Sequence, residues 1–137
     1  MDFEYKRKIN YYETDRMGVV HHSNYIRFLE EARCAWLEQA GMPMELLEQN
    51  GITIPTLETN VKYKYPVTSG DSISIKPKID SFNGVRMNIS YEVIDLKTRN
   101  VVIDAKTMHC FTNSDLAPIN LKKHNTEFYD IFNKIVG

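Results

Sequence analysis

One long amphipathic segment near the start of the chain constrains the fold more than any other feature. From about Ser23 to Ala40, apolar side chains recur at steps of three and four residues, which predicts a helix with one buried face. Ser23 or Asn24 can cap the start of this helix, and Gly41 followed by Pro43 ends it. The rest of the chain must therefore pack around a single helix about 27 Å long.

The segments that follow the helix alternate apolar and polar residues, which is typical of strands with one buried face. The dipeptide Asn83-Gly84 between two of these segments is a strong hairpin signal. In chain order, the sequence predicts a strand over Phe3–Tyr12, the long helix, a short helix over Met44–Gln49, and strands that begin near Val61, Ile73, Val85 and Val101, the last of them running to Thr112.

The order of these elements determines the expected architecture. Strands joined by short turns form an antiparallel meander, and the long helix is the element that can cover their apolar face. Strands of nine or ten residues span about 30 Å, which matches the length of the helix. We therefore expect an α+β fold in which a five-stranded antiparallel sheet wraps around one long central helix. Because one helix leaves sheet edges uncovered, we also expect a dimer.

Composition and charge narrow the class of protein. The chain has 137 residues, of which 42% are hydrophobic and 26% charged, and this predicts one globular domain over residues 1–137. A net charge of −1 provides no global field that would hold nucleic acid or an anionic membrane. No apolar run approaches the roughly 20 residues of a membrane span, and Met1–Lys6 lacks the apolar core of a signal peptide. Cys34 and Cys110 fit neither a disulfide framework nor a zinc motif, so we expect free thiols and a cytoplasmic location.

The loop between the first strand and the long helix holds the candidate chemistry. Asp15 lies three residues before Gly18, and the helix begins a few residues later. Unpaired N–H groups at a helix start favour negative charge, including that of a developing oxyanion. A carboxylate and an N–H donor that face one pocket are the minimum set for hydrolysing an activated acyl group. Alternatively, Asp15 stabilises its own loop in an Asx-turn or as a cap, and spacing alone does not separate the two roles.

The stretch from Tyr12 to Tyr25 carries a longer motif. It reads as an aromatic residue, two variable residues, Asp, two variable residues, Gly-Val-Val, an aromatic–His pair, two variable residues and Tyr. This motif resembles the signature of hotdog-fold acyl-CoA thioesterases of the 4-hydroxybenzoyl-CoA thioesterase family. Ile26–Arg33 resembles the central helix of that family, and Val61–Asp71 resembles its second strand. His21 stands where close relatives often have Tyr, a difference that bears on substrate preference.

The resemblance implies an activity and a set of site residues. The activity is hydrolysis of an acyl-CoA thioester to free acid and CoA, with no metal or redox cofactor. Asp15 matches the catalytic carboxylate, which acts as general base or as nucleophile. The N–H near His22 matches the donor that polarises the thioester carbonyl, and the His22 side chain matches a histidine implicated in activity. Substrate-binding positions implied in the same way are Gly18, Val20, Asn24 and Tyr25 of one subunit with Asn60 and Tyr63 of its partner, because the pocket of this family lies at the interface of a homodimer, which can pair again into a tetramer.

Five basic residues stand on outward positions of the predicted strands. Their plainer role is to form a solvated face that protects the sheet from edge-to-edge aggregation. Alternatively, some of them bind the phosphates of CoA and steer an anionic substrate, which a near-zero net charge does not prevent. These residues are Lys62, Lys64, Lys76, Lys78 and Arg86.

Other chemistries have less support in the sequence. No Gly-X-Ser-X-Gly motif indicates a serine hydrolase, and the four histidines have no carboxylate or cysteine at metal-ligand spacing. His109 falls in the last strand, where a packed and hydrogen-bonded histidine is expected. The open alternatives are a thioesterase acting on acyl carrier protein, a hotdog-fold hydratase, and a non-catalytic module that binds an acyl chain or CoA.

Overall fold

A computed structural model of the protein describes residues 3–136. The prediction that Met1–Lys6 holds no signal peptide therefore lies partly outside the described residues. The sheet consists of β1 (Tyr5–Lys8), β2 (Thr56–Tyr63), β3 (Ser72–Phe82), β4 (Arg86–Asp95) and β5 (Val101–Cys110). The helices are α1 (His22–Gln39), α2 (Met44–Gln49), α3 (Leu121–His124) and α4 (Thr126–Val136), and a turn of 3₁₀ helix covers Tyr11–Glu13.

All five strands pair antiparallel, in the order β1-β3-β4-β5-β2. β1 and β2 are therefore the two edge strands. The predicted hairpin joins β3 to β4: Gly84 has a φ of +86°, which favours glycine, and the Asn83 Oδ1 accepts the N–H groups of Val85 and Arg86 at 2.9 and 2.8 Å. The hairpin prediction is confirmed.

The long helix α1 also forms where the periodicity predicts it, one residue earlier at each end. Its buried residues are Tyr25, Phe28, Leu29, Ala32, Trp36 and Leu37. The predicted cap is wrong, because His21 occupies the N-cap position and its Nδ1 accepts the N–H of Ser23 at 3.2 Å. An imidazole nitrogen thus takes the place of the hydroxyl or amide oxygen that usually caps a helix.

The boundaries of the edge strands differ most from the prediction. β1 ends at Lys8, because the chain turns into the 3₁₀ helix where the prediction had continued the strand to Tyr12. β2 spans Thr56–Tyr63, where the prediction began it near Val61. Nearly all side chains of β2 are exposed, so the strand lacks the alternation that would have revealed it.

The prediction missed the C-terminal helix α4. Its Phe128 and Phe132 are buried, and Phe132 packs on Phe82 and Phe111 with ring centroids 5.3 and 5.5 Å apart. This helix covers a part of the apolar face of the sheet that α1 leaves open. The predicted fold class, α+β with a five-stranded antiparallel sheet around one long central helix, is nevertheless confirmed.

Candidate active site

The loop before α1 is a narrow turn whose backbone hydrogen bonds hold Asp15 close to the helix start. The Asp15 N–H donates to the Val19 carbonyl at 2.7 Å, and the Gly18 N–H donates to the Asp15 carbonyl at 2.9 Å. Gly18 has a φ of +84°, a conformation that other residues adopt only with strain. The His21 N–H donates to the Glu13 carbonyl at 2.9 Å, which joins the two ends of the loop just before the helix.

The Asp15 carboxylate is half-buried and uses its two oxygens differently. Oδ1 accepts the N–H of Met17 at 2.8 Å, which is the Asx-turn of the purely structural interpretation. Oδ2 accepts no hydrogen bond from residues 3–136, and Asp15 lines a cleft. The turn and a chemical role are therefore compatible, because one oxygen orients the carboxylate and leaves the other available.

The cleft lies between this loop, the start of α1 and the end of β2, and it has a volume of about 290 Å³. It brings together Asp15, Val20, His22 and Tyr25, which were predicted to lie at one subunit's site. Tyr63 of the same chain also lines the cleft, whereas the prediction concerned Tyr63 of the partner, whose role stays a prediction. Residues just after β2 form a further wall of the cleft, with Lys64, which the sequence analysis named as a candidate phosphate ligand, and with Tyr65 and Pro66, which it did not name. These three residues directly follow β2, whereas the sequence predicts them as part of that strand.

The start of α1, where His22 lines this cleft, has a free backbone donor among the described residues. The N–H of Ser23 is taken by the His21 imidazole, and the N–H of Asn24 donates to the His21 carbonyl at 2.9 Å. The N–H of His22 has no acceptor among residues 3–136. It lies at the positive end of the helix dipole, where an anion is favoured. The donor predicted near His22 therefore coincides with an unpaired N–H.

Aromatic rings form the opposite wall of the cleft. The rings of His22 and Tyr63 meet edge to face with centroids 6.3 Å apart, and the Tyr63 hydroxyl donates to the His22 carbonyl at 3.4 Å. His21 stacks on His22 at 4.3 Å. Burial, with Tyr63 close by, raises the pKa of Tyr25 to about 12, so this phenol is neutral at physiological pH.

Four predicted site residues lie elsewhere in the chain. Gly18 shapes the loop without lining the cleft, and the Asn24 Nδ2 donates to the Glu13 carbonyl at 2.8 Å, so its side chain ties helix to loop. Asn60 stands opposite Lys106 on the outer face of the sheet. Arg86 begins β4 and points its guanidinium at the Met108 sulfur, 3.6 Å away. The predicted roles of the partner's Asn60 and of Arg86 stay predictions.

The five basic strand residues also separate in the structure. Lys64 lines the cleft, with its Nζ 3.9 Å from the Asp104 carboxylate. Lys76 forms an ion pair with Glu4 at 3.6 Å. Lys62 and Lys78 are exposed. Lys64 is therefore the cation best placed to meet a ligand that enters the Asp15 cleft.

A network that the sequence did not reveal anchors the loop to β1. Arg7 donates to both carboxylate oxygens of Glu13 at 2.8 Å and to Glu31 at 2.9 Å, and its guanidinium lies 3.9 Å from the centre of the Phe28 ring. Burial alone would raise the pKa of Glu13, but hydrogen bonds from Arg7 and Asn10 hold that pKa below its usual value. The residue two positions before Asp15 is thus a buried, ionised anchor. Glu13 occupies a variable position of the motif, so the sequence did not indicate this role.

Two further findings concern cofactors and membranes. Within residues 3–136, no three side chains of His, Cys, Asp or Glu lie close enough together to hold a metal ion. None of the helices in the same part of the chain is both long and apolar enough to cross a bilayer.

The architecture around this cleft is that of the hotdog fold. The DHNA-CoA thioesterase from Staphylococcus aureus superposes with a TM-score of 0.91, covering 98% of this chain and 90% of that chain at 23% sequence identity. Residues 9–126 match the Thioesterase-like superfamily, and the chain belongs to this family.

Two relatives are similar over most of their length. A protein of Aquifex aeolicus, provisionally named an esterase, is 32% identical over 114 residues, which are 83% of this chain and 88% of the relative. A Bacillus subtilis protein, provisionally named an acyl-CoA thioesterase, is 27% identical over 128 residues, which are 93% of this chain and 92% of the relative. The family predicted from the Tyr12–Tyr25 motif is confirmed.

Proposed function

We propose that this protein hydrolyses acyl-CoA thioesters to the carboxylic acid and free CoA. The observation that carries the proposal is that one cleft is lined both by Asp15, one of whose carboxylate oxygens accepts no hydrogen bond from residues 3–136, and by His22, whose N–H has no acceptor there. Acyl transfer to water needs a base or nucleophile and a donor for the oxyanion, and these two groups supply both. The name of the Bacillus subtilis relative supports CoA as the thiol carrier.

The reaction follows from the positions of these groups. The His22 N–H donates to the carbonyl oxygen of the thioester and stabilises its negative charge as the carbon becomes tetrahedral. Asp15 removes a proton from a water molecule whose oxygen attacks the carbonyl carbon. The carbon–sulfur bond then breaks, and the departing thiolate takes up a proton to give CoA. Alternatively, the Asp15 oxygen attacks the carbon itself, the carbon–sulfur bond breaks and CoA leaves, and water then cleaves the resulting mixed anhydride to give the free acid and the Asp15 carboxylate.

Neighbouring side chains orient these groups and complete the site. The Asx-turn through Met17 aims the Asp15 carboxylate, while Arg7 and Glu13 hold the loop beneath it. The imidazole of His22 lines the same cleft and can carry the proton to the departing sulfur, because its ring nitrogens can both donate and accept. Lys64 lies at the same cleft, and its charge suits a phosphate of CoA.

The assembly we propose is a dimer in which two copies of β2 pair edge to edge, with a dimer of dimers as the larger form. β2 is an edge strand of eight residues whose outer backbone groups are free to pair. Leu57, Tyr63 and Tyr65 are 40 to 53% exposed on or just after it, which is a large apolar area for a monomer surface. Sedimentation should give a dimer at micromolar concentration, and a stable monomer there would contradict this arrangement. Both cysteines are free thiols, which suits a cytoplasmic protein.

Thiol release from a panel of acyl-CoAs tests the activity directly. The wild-type protein should release CoA from at least one aromatic, short-chain or medium-chain acyl-CoA in many turnovers per subunit. The two cysteines of the chain add at most two equivalents of thiol per subunit, so the protein must be present in catalytic amounts. Turnover of acyl carrier protein thioesters alone would indicate the other carrier. Binding of acyl-CoA without turnover would indicate a non-catalytic module.

A further inference from the structure

A second cavity lies between the helices and the sheet, toward the C-terminal end of α1. It has a volume of about 260 Å³ and is bounded by α1, by α4 and by the inner face of β3, β4 and β5. Apart from His109, its buried wall is apolar, whereas three of its lining residues are exposed and mark the opening. The buried wall includes Trp36, Ile79, Ile89 and Phe132, and the opening is at Glu30, Met44 and Thr56.

A chain of polar side chains borders this apolar space. The Arg33 Nη1 donates to the Tyr91 hydroxyl at 3.1 Å, and Tyr91 and His109 each lie within hydrogen-bond distance of the Thr107 hydroxyl, at 2.7 and 2.8 Å. Arg33 and His109 line the cavity. Burial, with Arg33 nearby, lowers the pKa of His109 to about 4, so its imidazole is neutral at physiological pH.

Trp36 adds a donor that no protein group uses. Its indole N–H is buried and has no hydrogen-bond partner among residues 3–136. An unpaired buried N–H costs free energy unless a partner accepts from it. A ligand that brings a hydrogen-bond acceptor next to an apolar group would suit this wall, because Arg33 and Trp36 both donate.

The volume of the cavity limits the size of such a ligand. An engineered apolar cavity of about 150 Å³ binds benzene. By proportion, the roughly 260 Å³ here has room for about ten carbon atoms. The expected ligand is therefore a medium-length alkyl group or a two-ring aryl group attached to a polar acyl carbon.

Helix α4 closes this space. Phe132 and Ile135 of α4 line the cavity, while the family match ends at residue 126, where α4 begins. The depth of the cavity is thus set by α4 residues that lie beyond the part of the chain that matches the family.

We propose that this cavity is the compartment for the acyl group of the substrate, and that Ile135 limits the length of that group to about ten carbons. The inference rests on the proposed thioesterase function and on the paired β2 edges. It names a ligand compartment and a specificity-determining residue that lie outside the Asp15 cleft.

Pairing of two chains connects the cavity with the cleft. Arg33 follows His22 by eleven residues, about 16 Å along the helix, so one chain alone separates the cavity from its own oxyanion donor. Tyr63 at the end of β2 borders the cleft, and Thr56 at its beginning borders the cavity opening. When two β2 strands pair antiparallel, the Thr56 end of one copy meets the Tyr63 end of the other. The cavity of one subunit then opens beside the Asp15 cleft of its partner.

A binding measurement tests the compartment without relying on turnover. Trp36 is the only tryptophan of the chain, so its emission reports on this cavity. Decanoate added to the wild-type protein should shift Trp36 emission in a saturable way, and acetate at the same concentration should not. The absence of any shift up to the solubility of decanoate would overturn the proposal, whether or not the protein hydrolyses acyl-CoA.

Two substitutions of Ile135 test its role as the length limit. Ile135→Ala deepens the cavity and should raise the ratio of kcat/KM for dodecanoyl-CoA over hexanoyl-CoA about tenfold, while Ile135→Phe should lower the decanoyl-to-hexanoyl ratio by a similar factor. Val136 is the matched control, because it is exposed on the same helix and does not line the cavity. Val136→Ala and Val136→Phe should leave both ratios within twofold of wild type.

The outcomes separate this proposal from the proposed function. If the ratios for both Ile135 variants match those of the Val136 variants, Ile135 does not limit chain length. If Ile135→Ala does not fold, Ile135→Phe and the wild-type titration still decide. A wild-type protein that binds decanoate but hydrolyses no acyl-CoA would contradict the thioesterase function and leave the compartment standing.

Discussion

The two ends of α1 offer opposite environments. At its start, an unpaired N–H, a carboxylate oxygen and an exposed tyrosine face a cleft that water can enter. Toward its end, Trp36 and Leu37 border a cavity with an apolar, largely buried wall. A thioester hydrolase needs both environments. Water and charged groups must reach the carbonyl carbon, and the apolar part of the acyl group must be shielded from water. One helix can therefore carry reactive groups at its start and the groups that select the substrate toward its end.

The residues that support the two ends differ in the same way. The Asp15 loop is held by hydrogen bonds and by the ion pair of Arg7 with Glu13, which are directional and position a carboxylate closely. The cavity is formed by packed aromatic and aliphatic side chains, which define a volume more than a direction. Substitutions at the first end should therefore change turnover, and those at the second should change selectivity or stability.

The largest expected effect lies at the polar end. Asp15→Asn retains the size of the side chain and the hydrogen bond from Met17, but the amide can neither accept the proton of water nor attack the carbonyl. We expect kcat to fall by about two to four orders of magnitude, with substrate still bound. Steady-state kinetics and binding of a thioester to the variant measure the two quantities.

Asp71→Asn is the matched control for this substitution. Asp71 likewise accepts a backbone N–H in a loop, that of Thr68 at 2.8 Å, but it does not line the cleft. Its kcat should stay within about threefold of wild type. If Asp15→Asn folds normally and hydrolyses acyl-CoA at the wild-type rate, Asp15 is structural and the proposed mechanism is wrong.

The second effect concerns His109 at the apolar end and appears in the pH dependence of stability. Because the folded-state pKa of His109 is about 4, below the usual 6.5, the unfolded chain binds a proton more readily between these values. His109 therefore stabilises the fold above pH 6.5, and this contribution of about 3 kcal/mol is lost as the pH falls toward 4.

Denaturant unfolding at several pH values tests this contribution. His109→Gln removes the titrating group, so its free energy of unfolding should change less than that of wild type between pH 6.5 and pH 4. His124→Gln is the control, since His124 is exposed on α3, and it should keep the wild-type slope. Identical slopes for all three proteins would show that His109 does not titrate in this range.

The third effect returns to the polar end. Glu13→Gln leaves the Arg7 guanidinium with Glu31 as its one anionic partner among residues 3–136, and we expect a loss of about 2 kcal/mol in the free energy of unfolding. Because the folded-state pKa of Glu13 is lowered, its contribution is present above the usual carboxyl pKa and is lost as the pH falls below it. As the pH falls below the usual carboxyl pKa, the free energy of unfolding of Glu13→Gln should therefore decrease less than that of wild type. This pH range is lower than the one in which His109 acts.

Turnover of Glu13→Gln measures the positioning role of this residue. If the loop depends on the ion pair, kcat should fall about tenfold while KM changes little. Glu45→Gln, at an exposed position on α2, should match wild type in both measurements. A stable Glu13→Gln variant with wild-type kcat would limit Glu13 to a role in folding.

The smallest effect concerns the charge beside the cleft. Lys64→Gln should raise KM for acyl-CoA about threefold, leave kcat nearly unchanged and flatten the dependence of KM on salt, because one exposed cation contributes little to binding. Lys78→Gln is the control on the outer face. Equal KM values for the two variants across the salt series would assign Lys64 to the solvated face.

Local patterns predicted the parts of the molecule in which the chain interacts with its own neighbours in sequence. The α1 helix and the β3–β4 hairpin follow from periodicity and from Asn83-Gly84, because both depend on residues a few positions apart. The first part of β2 was not predicted because an edge strand buries almost none of its side chains within its own chain. α4 was missed although its apolar residues Phe128, Ile131, Phe132 and Ile135 recur at steps of three and four residues. Only its packing site, against Phe82 and Phe111, depends on residues distant in sequence.

The long helix, the alternating strands, the motif around Asp15 and the family were all predictable from the order of residues. Three features emerge only when the chain is folded: Tyr63 and Lys64 line the Asp15 cleft, Glu13 is an ionised anchor on Arg7, and α4 closes a cavity over the sheet. The physical reason is that propensity and periodicity act over a few residues. Clefts, buried ion pairs and cavities form between elements, and their energies depend on which distant side chains meet.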